Sequence, residues 1–233
     1  MDAAFAFVLT LLVISFDALP KDSSELLLAL KGIPAFGASF LLLAQFWYSH
    51  NTWCRRYGID DGRSTVLGLL LVFLVMIFVY PLRVQFASMF AWLSSGWLPS
   101  TFRIQSLAEL QVVFMVFGGS FAGMSAVMTL LYQHAQKRAS AIGLDPLELA
   151  LTRVLILQWR WNVFVGVLSI FVAATCPANA PVWRATAGGM MFFLLTLTSP
   201  WFKWRAARLR TLHAGQEPVF APTGTARQDP SKT

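Results

Sequence analysis

The stretch that decides the fold is residues 67–80, which read Leu-Gly-Leu-Leu-Leu-Val-Phe-Leu-Val-Met-Ile-Phe-Val-Tyr and contain no charged side chain. The rest of the chain has a similar character, since 57% of its 233 residues are hydrophobic and only 12% are charged. Ordinary soluble domains are about 45–50% apolar and about 25% charged. A chain of this size has too little core to hide the excess, so apolar side chains must face lipid. We therefore predict an all-α integral membrane protein.

Six apolar stretches are long enough, at about 20 residues, to cross the hydrocarbon core of a bilayer. The predicted spans cover residues 3–19, 26–53, 64–86, 107–132, 154–175 and 181–202. Together they make residues 1–212 one predicted transmembrane domain. Residues 213–233 are rich in Pro, Gly, Thr and Gln, a composition that predicts a disordered cytoplasmic tail.

Local patterns refine this plan. Gly32 and Pro34 predict a bend within the second span. Asp145 followed by Pro146 and then Glu148 predicts a helix start, with Asp as the N-cap and Glu completing a capping box. The fourth span carries small residues, which let helices approach closely in lipid: Gly118, Gly119, Ser120, Gly123 and Ser125.

The charge distribution predicts the topology. The net charge is +7, and no nucleic-acid-binding motif accompanies it, so we attribute it to loops on the cytoplasmic side, which collect Lys and Arg. With the N-terminus inside, most basic residues fall in inner segments: Arg55, Arg56, Arg63, Lys137, Arg138, Arg153, Arg160, Lys203, Arg205, Arg208, Arg210, Arg227 and Lys232. Few fall in outer segments: Lys21, Lys31, Arg83, Arg103 and Arg184. Both termini are therefore predicted to be cytoplasmic.

The sequence contains none of the short motifs that are typical of common enzyme classes. It has no HExxH, GxSxG or P-loop sequence, and no paired carboxylates within a span. The centres of the spans hold almost no ionisable groups, which a proton-coupled transporter usually needs. We therefore predict that the protein is not an enzyme and that it needs no cofactor or metal site.

The first span has an apolar stripe that allows two interpretations. Phe7, Leu11 and Ile14 are spaced i, i+4 and i+7, and share one helical face with Thr10. Spacing alone favours a stripe that faces lipid or packs against another helix. The alternative is a pore lining, since apolar rings can gate a channel by dewetting and a Thr hydroxyl can replace part of an ion's water shell.

The second span ends with Trp47 and His50, three residues apart. The simpler interpretation is an interfacial Trp with a His at the water boundary. The alternative is a buried polar contact that ties this helix to the first helix or to a neighbouring subunit.

Residues 2–13, Asp-Ala-Ala-Phe-Ala-Phe-Val-Leu-Thr-Leu-Leu-Val, resemble the first helix of the transmembrane protein 175 family, the endolysosomal-type potassium channels and their bacterial relatives. That helix carries an Arg-x-x-x-Phe-Ser-Asp motif followed by an apolar run. The stretch from Pro34 to Trp53, with Trp47 and His50, is similar to the family's second helix, and Asp60-Asp61 and Pro81 also fit. The resemblance covers roughly residues 2–82.

The resemblance implies six transmembrane helices per subunit and a homotetramer whose first helices line a pore permeable to potassium ions. It implies apolar gating layers at Phe7, Leu11 and Ile14, with Thr10 among them, and no selectivity filter built from carbonyl loops. Asp2 corresponds to the Asp of the motif. Trp47 and His50 correspond to a structural pair on helix two. Membrane lipid, the permeant ion and three identical subunits are the implied partners, and a bacterial inner membrane the implied location.

This chain departs from the family pattern in ways that leave two other functions open. It begins at Met1, where the motif has its Ser, and Phe7 replaces the more usual branched aliphatic residue at the innermost layer. Four Phe rings there would narrow the pore. The missing motif residues and Phe7 favour a non-conducting relative that acts as a membrane interaction module. The other alternative is a small transporter or membrane-embedded enzyme, against which the lack of central carboxylates and catalytic motifs speaks.

Overall fold

The computed structural model describes residues 3, 6, 10, 22–100, 106–177 and 179–214, and these are helical apart from short connections. Residues 3, 6 and 10 are themselves helical. From residue 22 onward the helices are α1 (Ser23–Lys31), α2 (Ile33–Tyr57), α3 (Gly62–Leu93), α4 (Leu107–Lys137), α5 (Pro146–Ala174), α6 (Val182–Ala185), α7 (Ala187–Met190) and α8 (Phe193–Ala214). The predicted all-α class holds throughout these ranges.

Polar side chains fix where the long helices begin. The Asp61 carboxylate accepts a hydrogen bond from the Ser64 N–H at 2.8 Å, and the Ser64 hydroxyl lies 3.1 Å from the Asp61 N–H, which together form a capping box for α3. Asp145 and Glu148 form a second capping box at the start of α5. The predicted helix start is therefore confirmed. Pro146 occupies the first turn, where its missing N–H leaves no bond unmade.

Three helices, α3, α4 and α5, are long and apolar enough to cross a membrane. The pair α1 and α2 makes a fourth candidate, bent by 40° at Gly32. The bend predicted at Gly32 and Pro34 is thus confirmed, with Pro34 in the first turn of α2. The first predicted span, 3–19, falls almost wholly outside the described residues.

The last predicted span differs from the structure. Residues 181–202 were expected to form one helix, but they are divided among α6, α7 and the first half of α8. Gly188 and Gly189 belong to the four-residue helix α7. A Cβ on Gly189 would come within 2.6 Å of the Phe114 ring on α4. The chain is therefore close enough to α4 for the aromatic ring to pack against glycine backbone. Helix α8 then continues to Ala214, beyond the predicted span.

Helices α4 and α5 approach each other closely at a pair of glycines. A Cβ added to Gly118 would lie 2.9 Å from the Gly166 carbonyl oxygen, and a Cβ on Gly166 would lie 2.9 Å from the Gly118 carbonyl oxygen. Only glycine at both positions permits this contact. The small residues of the fourth span do form a packing face at Gly118, but its partner on α5, Gly166, was not predicted.

Candidate functional site

The predicted pore stripe lies mostly beyond the part of the chain that the structure describes. Phe7, Leu11, Ile14 and Asp2 fall outside the described residues. Thr10 is described, and it is helical and exposed. The exposed position of Thr10 is compatible with either interpretation of the stripe, because both a pore and a lipid contact lie outside the packed core of one subunit.

The structure describes the surroundings of Trp47 and His50, which both lie on α2. His50 is only 3% exposed, and its ring stacks on Trp53 with the ring centres 6.3 Å apart. The Cys54 Sγ lies 3.7 Å from His50 Nδ1. Trp47 is partly buried and packs against the apolar core. This burial favours a role inside the protein for His50 over a position at the water boundary.

A second polar cluster lies where α3 begins and α4 ends. His134 Nε2 is 2.7 Å from the Asp61 Oδ2 atom, and an Arg138 guanidinium nitrogen is 3.2 Å from the same oxygen. Asp61 accepts the Ser64 N–H as well, and this backbone hydrogen bond, together with the His134 contact, holds the pKa of the Asp61 carboxyl well below its usual range. One carboxylate therefore caps α3 and links it to the end of α4.

A buried hydroxyl pair joins two more helices at the same end. Tyr57, the last residue of α2, has its hydroxyl 2.7 Å from Thr152 Oγ1 on the first turns of α5. The Tyr57 ring also meets Tyr132 of α4 edge to face, with centres 5.9 Å apart. We call this the basic end of the bundle, where α2 and α4 end and α3 and α5 begin, because it carries Arg55, Arg56, Arg63, Lys137, Arg138 and Arg153.

The sequence interpretation missed both clusters. Asp61 was noted only through the family resemblance, and no pattern singled out His134. The available signals were local. Asp61 followed by Ser64 matches a helix start. Tyr57 is the last residue of α2, and Gly58 after it ends the helix in the left-handed conformation, with a φ of 57°. No local pattern showed that Asp61 would meet His134, which lies 73 positions later, or that Tyr57 would meet Thr152, which lies 95 positions later.

The described residues contain no group of three or more His, Cys, Asp or Glu side chains that could hold a metal ion. The polar contacts of the basic end instead join pairs of helices. They brace the bundle.

Residues 1–81 match the family described as endosomal/lysosomal potassium channel TMEM175. Over these residues the chain is similar to the TMEM175 channels. A protein named "Potassium channel" from Marivirga tractuosa is 27% identical over 202 residues, which cover 83% of this chain and 79% of that protein. The predicted resemblance is confirmed.

A solved structure extends the TMEM175 likeness beyond the matched N-terminal region. A Thr-to-Ala variant of the potassium channel MtTMEM175, solved in complex with a nanobody–MBP fusion protein, superposes with a TM-score of 0.73. The match covers 92% of this chain and 90% of that one at 21% identity. At this identity the likeness shows the fold. The shared fold therefore includes α4 to α8, which lie beyond the residues that carry the sequence resemblance.

Proposed function

We propose that this protein is a potassium-permeable cation channel that conducts passively down the electrochemical gradient. The observation that carries the proposal is the position of the family match, residues 1–81, which includes the whole of the predicted pore stripe together with α1 and α2. The fold shared with MtTMEM175 over nearly the full length supports it. The relatives found are named as channels and not as enzymes, in agreement with the lack of enzyme motifs.

The proposed pore is formed by the first helices of four identical subunits. Each helix contributes Phe7, Leu11 and Ile14 as apolar layers, and rings of such side chains expel water from a narrow pore and close it to ions. Thr10 stands beside these layers, and its hydroxyl can replace part of the hydration shell of a potassium ion. Conduction through such a pore needs neither a carbonyl-loop filter nor a cofactor.

The remaining motif residues are proposed to hold the first helix in place. His50 is buried one turn below Trp47 on α2, and Trp47 packs on the core. A buried imidazole is normally hydrogen-bonded, so a His at this depth suits a polar contact between helices. We assign Asp2 and the Trp47–His50 pair to this anchoring of helix one, in the six-helix subunit.

We propose a bacterial inner membrane as the location, with both termini in the cytoplasm. The basic end of the bundle is the side expected to face the cytoplasm, since Lys and Arg accumulate there. The end of α8 carries the same sign of charge through Lys203, Arg205, Arg208 and Arg210. The described basic residues toward the other side are few: Lys31, Arg83 and Arg184.

Ion flux in proteoliposomes tests the channel directly. Wild type should pass potassium in preference to sodium, and Leu11→Ala should raise the flux because it widens an apolar layer. Leu41→Ala is the matched control, since Leu41 is 68% exposed on α2 and its loss should leave flux unchanged. Flux no greater than in empty liposomes for wild type and Leu11→Ala, with the protein folded, would refute conduction. A monomeric mass in native mass spectrometry would refute the four-fold pore.

A non-conducting relative that serves as a membrane interaction module is the second candidate, and Phe7 favours it. Four Phe rings at the innermost layer leave less room than branched aliphatic side chains. If the pore is merely blocked there, Phe7→Ile should produce potassium flux where wild type shows little. If wild type and Phe7→Ile both assemble as tetramers and neither passes potassium, the interaction module is favoured.

A further inference from the structure

A cavity of about 650 Å³ opens between α2, α3, α4, α5 and α8. Its size is typical of sites for small molecules, which are mostly apolar with a few polar groups. The apolar part of the wall is largely aromatic: Leu42, Phe46, Phe86, Phe117, Phe121 and Trp159. Polar groups enter the wall from four helices, with Gln45 on α2, Gln85 on α3, Gln158 and Asn162 on α5, and Ser199 and Lys203 on α8.

Lys203 connects this cavity to the exposed, basic end of α8. Trp201 and Trp204 flank it and are 45% and 57% exposed. The Arg205 guanidinium lies 5.2 Å from the centre of the Trp201 ring, and that of Arg208 lies 5.4 Å from the centre of Trp204. Helix α8 contains no acidic residue from Phe193 to Ala214, so nothing within the helix neutralises these charges.

The course of α8 places this basic segment on the same side as the basic end of the bundle. The segment before α8 is fixed near the far end of α5, where Ser169 donates a hydrogen bond to the Gly188 carbonyl at 2.8 Å. Lys203 then shares the cavity wall with Gln158, which lies closer to the start of α5. Helix α8 therefore runs back toward the side where α5 begins, and the cavity mouth at Lys203 opens toward that leaflet.

We propose that the cavity and the basic end of α8 form one site for an anionic phospholipid. An acyl chain fills the aromatic cavity, and the lipid phosphate binds Lys203 and Arg205 at the mouth. The two exposed Trp rings suit the boundary between headgroups and hydrocarbon, and the cation–π contacts hold the arginines beside it. Basic residues at an anionic membrane surface each strengthen binding about fivefold. The inference rests on the proposed membrane orientation but not on ion conduction.

Native mass spectrometry of the full-length protein tests the lipid site without any measurement of flux. Phosphatidylglycerol should be retained, and phosphatidylcholine with the same acyl chains should not. The double variant Lys203→Gln/Arg205→Gln should lower the affinity for phosphatidylglycerol about 25-fold. Arg55→Gln/Arg56→Gln removes two basic residues from the same side but outside the cavity, and should leave the affinity unchanged. Equal retention of the two lipids, or equal losses in the two double variants, would overturn the proposal.

A second pair of variants tests the acyl-chain part of the site. Ser199→Phe adds a ring to the cavity wall and should reduce phosphatidylglycerol retention at least tenfold, whereas Val167→Phe adds the same ring at a 51% exposed position on α5 and should not. Thermal unfolding of both variants checks that they fold. Glycerophosphoglycerol, the headgroup without chains, should compete poorly. Competition as strong as that of the intact lipid would rule out the cavity as part of the site. If the protein passes no potassium but still retains phosphatidylglycerol in preference to phosphatidylcholine, only the channel proposal is refuted.

Discussion

The two ends of the helix bundle are held together by different kinds of hydrogen bond. At the basic end, side chains meet side chains: Tyr57 with Thr152, and His134 with Asp61. At the distal end, where α6 and α7 lie, side chains meet backbone. Gln111 donates to the Ala185 carbonyl at 3.3 Å, and Ser169 donates to the Gly188 carbonyl at 2.8 Å.

The difference follows from the regularity of the helices. Long helices satisfy most of their own backbone groups, so contacts between them use side chains. Helices of four residues, such as α6 and α7, have few internal bonds, and a carbonyl left over in an apolar setting needs a donor from elsewhere. The distal end is thus built from short helices whose carbonyls depend on Gln111 and Ser169. The basic end is built from capped, continuous helices.

The largest expected effect lies between these ends, at the contact that holds α4 and α5 together. Gly166→Ala places a Cβ 2.9 Å from Ala122 Cβ and from the Gly118 carbonyl oxygen, so the helices must separate. Overpacking of this kind costs about 1–3 kcal/mol, which lowers the melting temperature by about 2–12 °C. Gly37→Ala on α2 is the control, since a Cβ there meets nothing within 4 Å. A melting temperature of Gly166→Ala equal to that of Gly37→Ala would show that α4 and α5 do not approach this closely.

The next largest effect compares the stability lost when a hydrogen bond is removed at each end of the bundle. Ser169 is fully buried, and Ser169→Ala leaves the Gly188 carbonyl without its donor, at a cost of about 1–3 kcal/mol. Tyr57→Phe should cost less, about 0.5–1.5 kcal/mol, because Thr152 keeps its 2.7 Å hydrogen bond to the Glu148 carbonyl. Thermal unfolding in one detergent ranks the two variants. A larger loss for Tyr57→Phe would reverse the comparison between the ends.

The sequence predicted the regular part of this architecture and missed the irregular part. Apolar runs and caps such as Asp145 with Glu148 are local, so they located α3, α4 and α5 correctly. The division of residues 181–202 was missed because their hydropathy suits one helix. The break depends on packing against Phe114, some 75 residues earlier in the chain.

The candidate site divides in the same way. The family resemblance identified His50, whose burial its local pattern alone did not favour. The Asp61–His134 and Tyr57–Thr152 contacts join distant positions, and nothing in the spacing of one sequence reveals such pairs. The roles of Phe7, Leu11 and Ile14 remain predictions, which the flux experiments address.

A smaller effect, visible only in acid, concerns the carboxylate of the basic end. Because the folded pKa of Asp61 lies below the ordinary value of about 3.9, the unfolded chain binds its proton first as the pH falls. The stabilisation is complete above about pH 4 and is lost progressively below it. Asp61→Asn should therefore show a melting temperature that falls less between pH 5 and pH 3 than that of wild type. Thermal unfolding at the two pH values measures this difference, and an equal fall in the two proteins would mean that the Asp61 carboxylate does not stabilise the fold.

The smallest effect should come from the ion pair between Arg138 and Asp61. Its nitrogen lies 3.2 Å from the carboxylate, but half of the Arg138 side chain is exposed, and exposed pairs contribute less than about 1 kcal/mol. Arg138→Gln should lower the melting temperature by no more than about 4 °C in low salt, and by less in 0.5 M NaCl, where screening weakens the wild-type pair. A larger, salt-independent loss would mean that Arg138 acts through packing. The stability of the basic end would then rest on more than its buried hydrogen bonds.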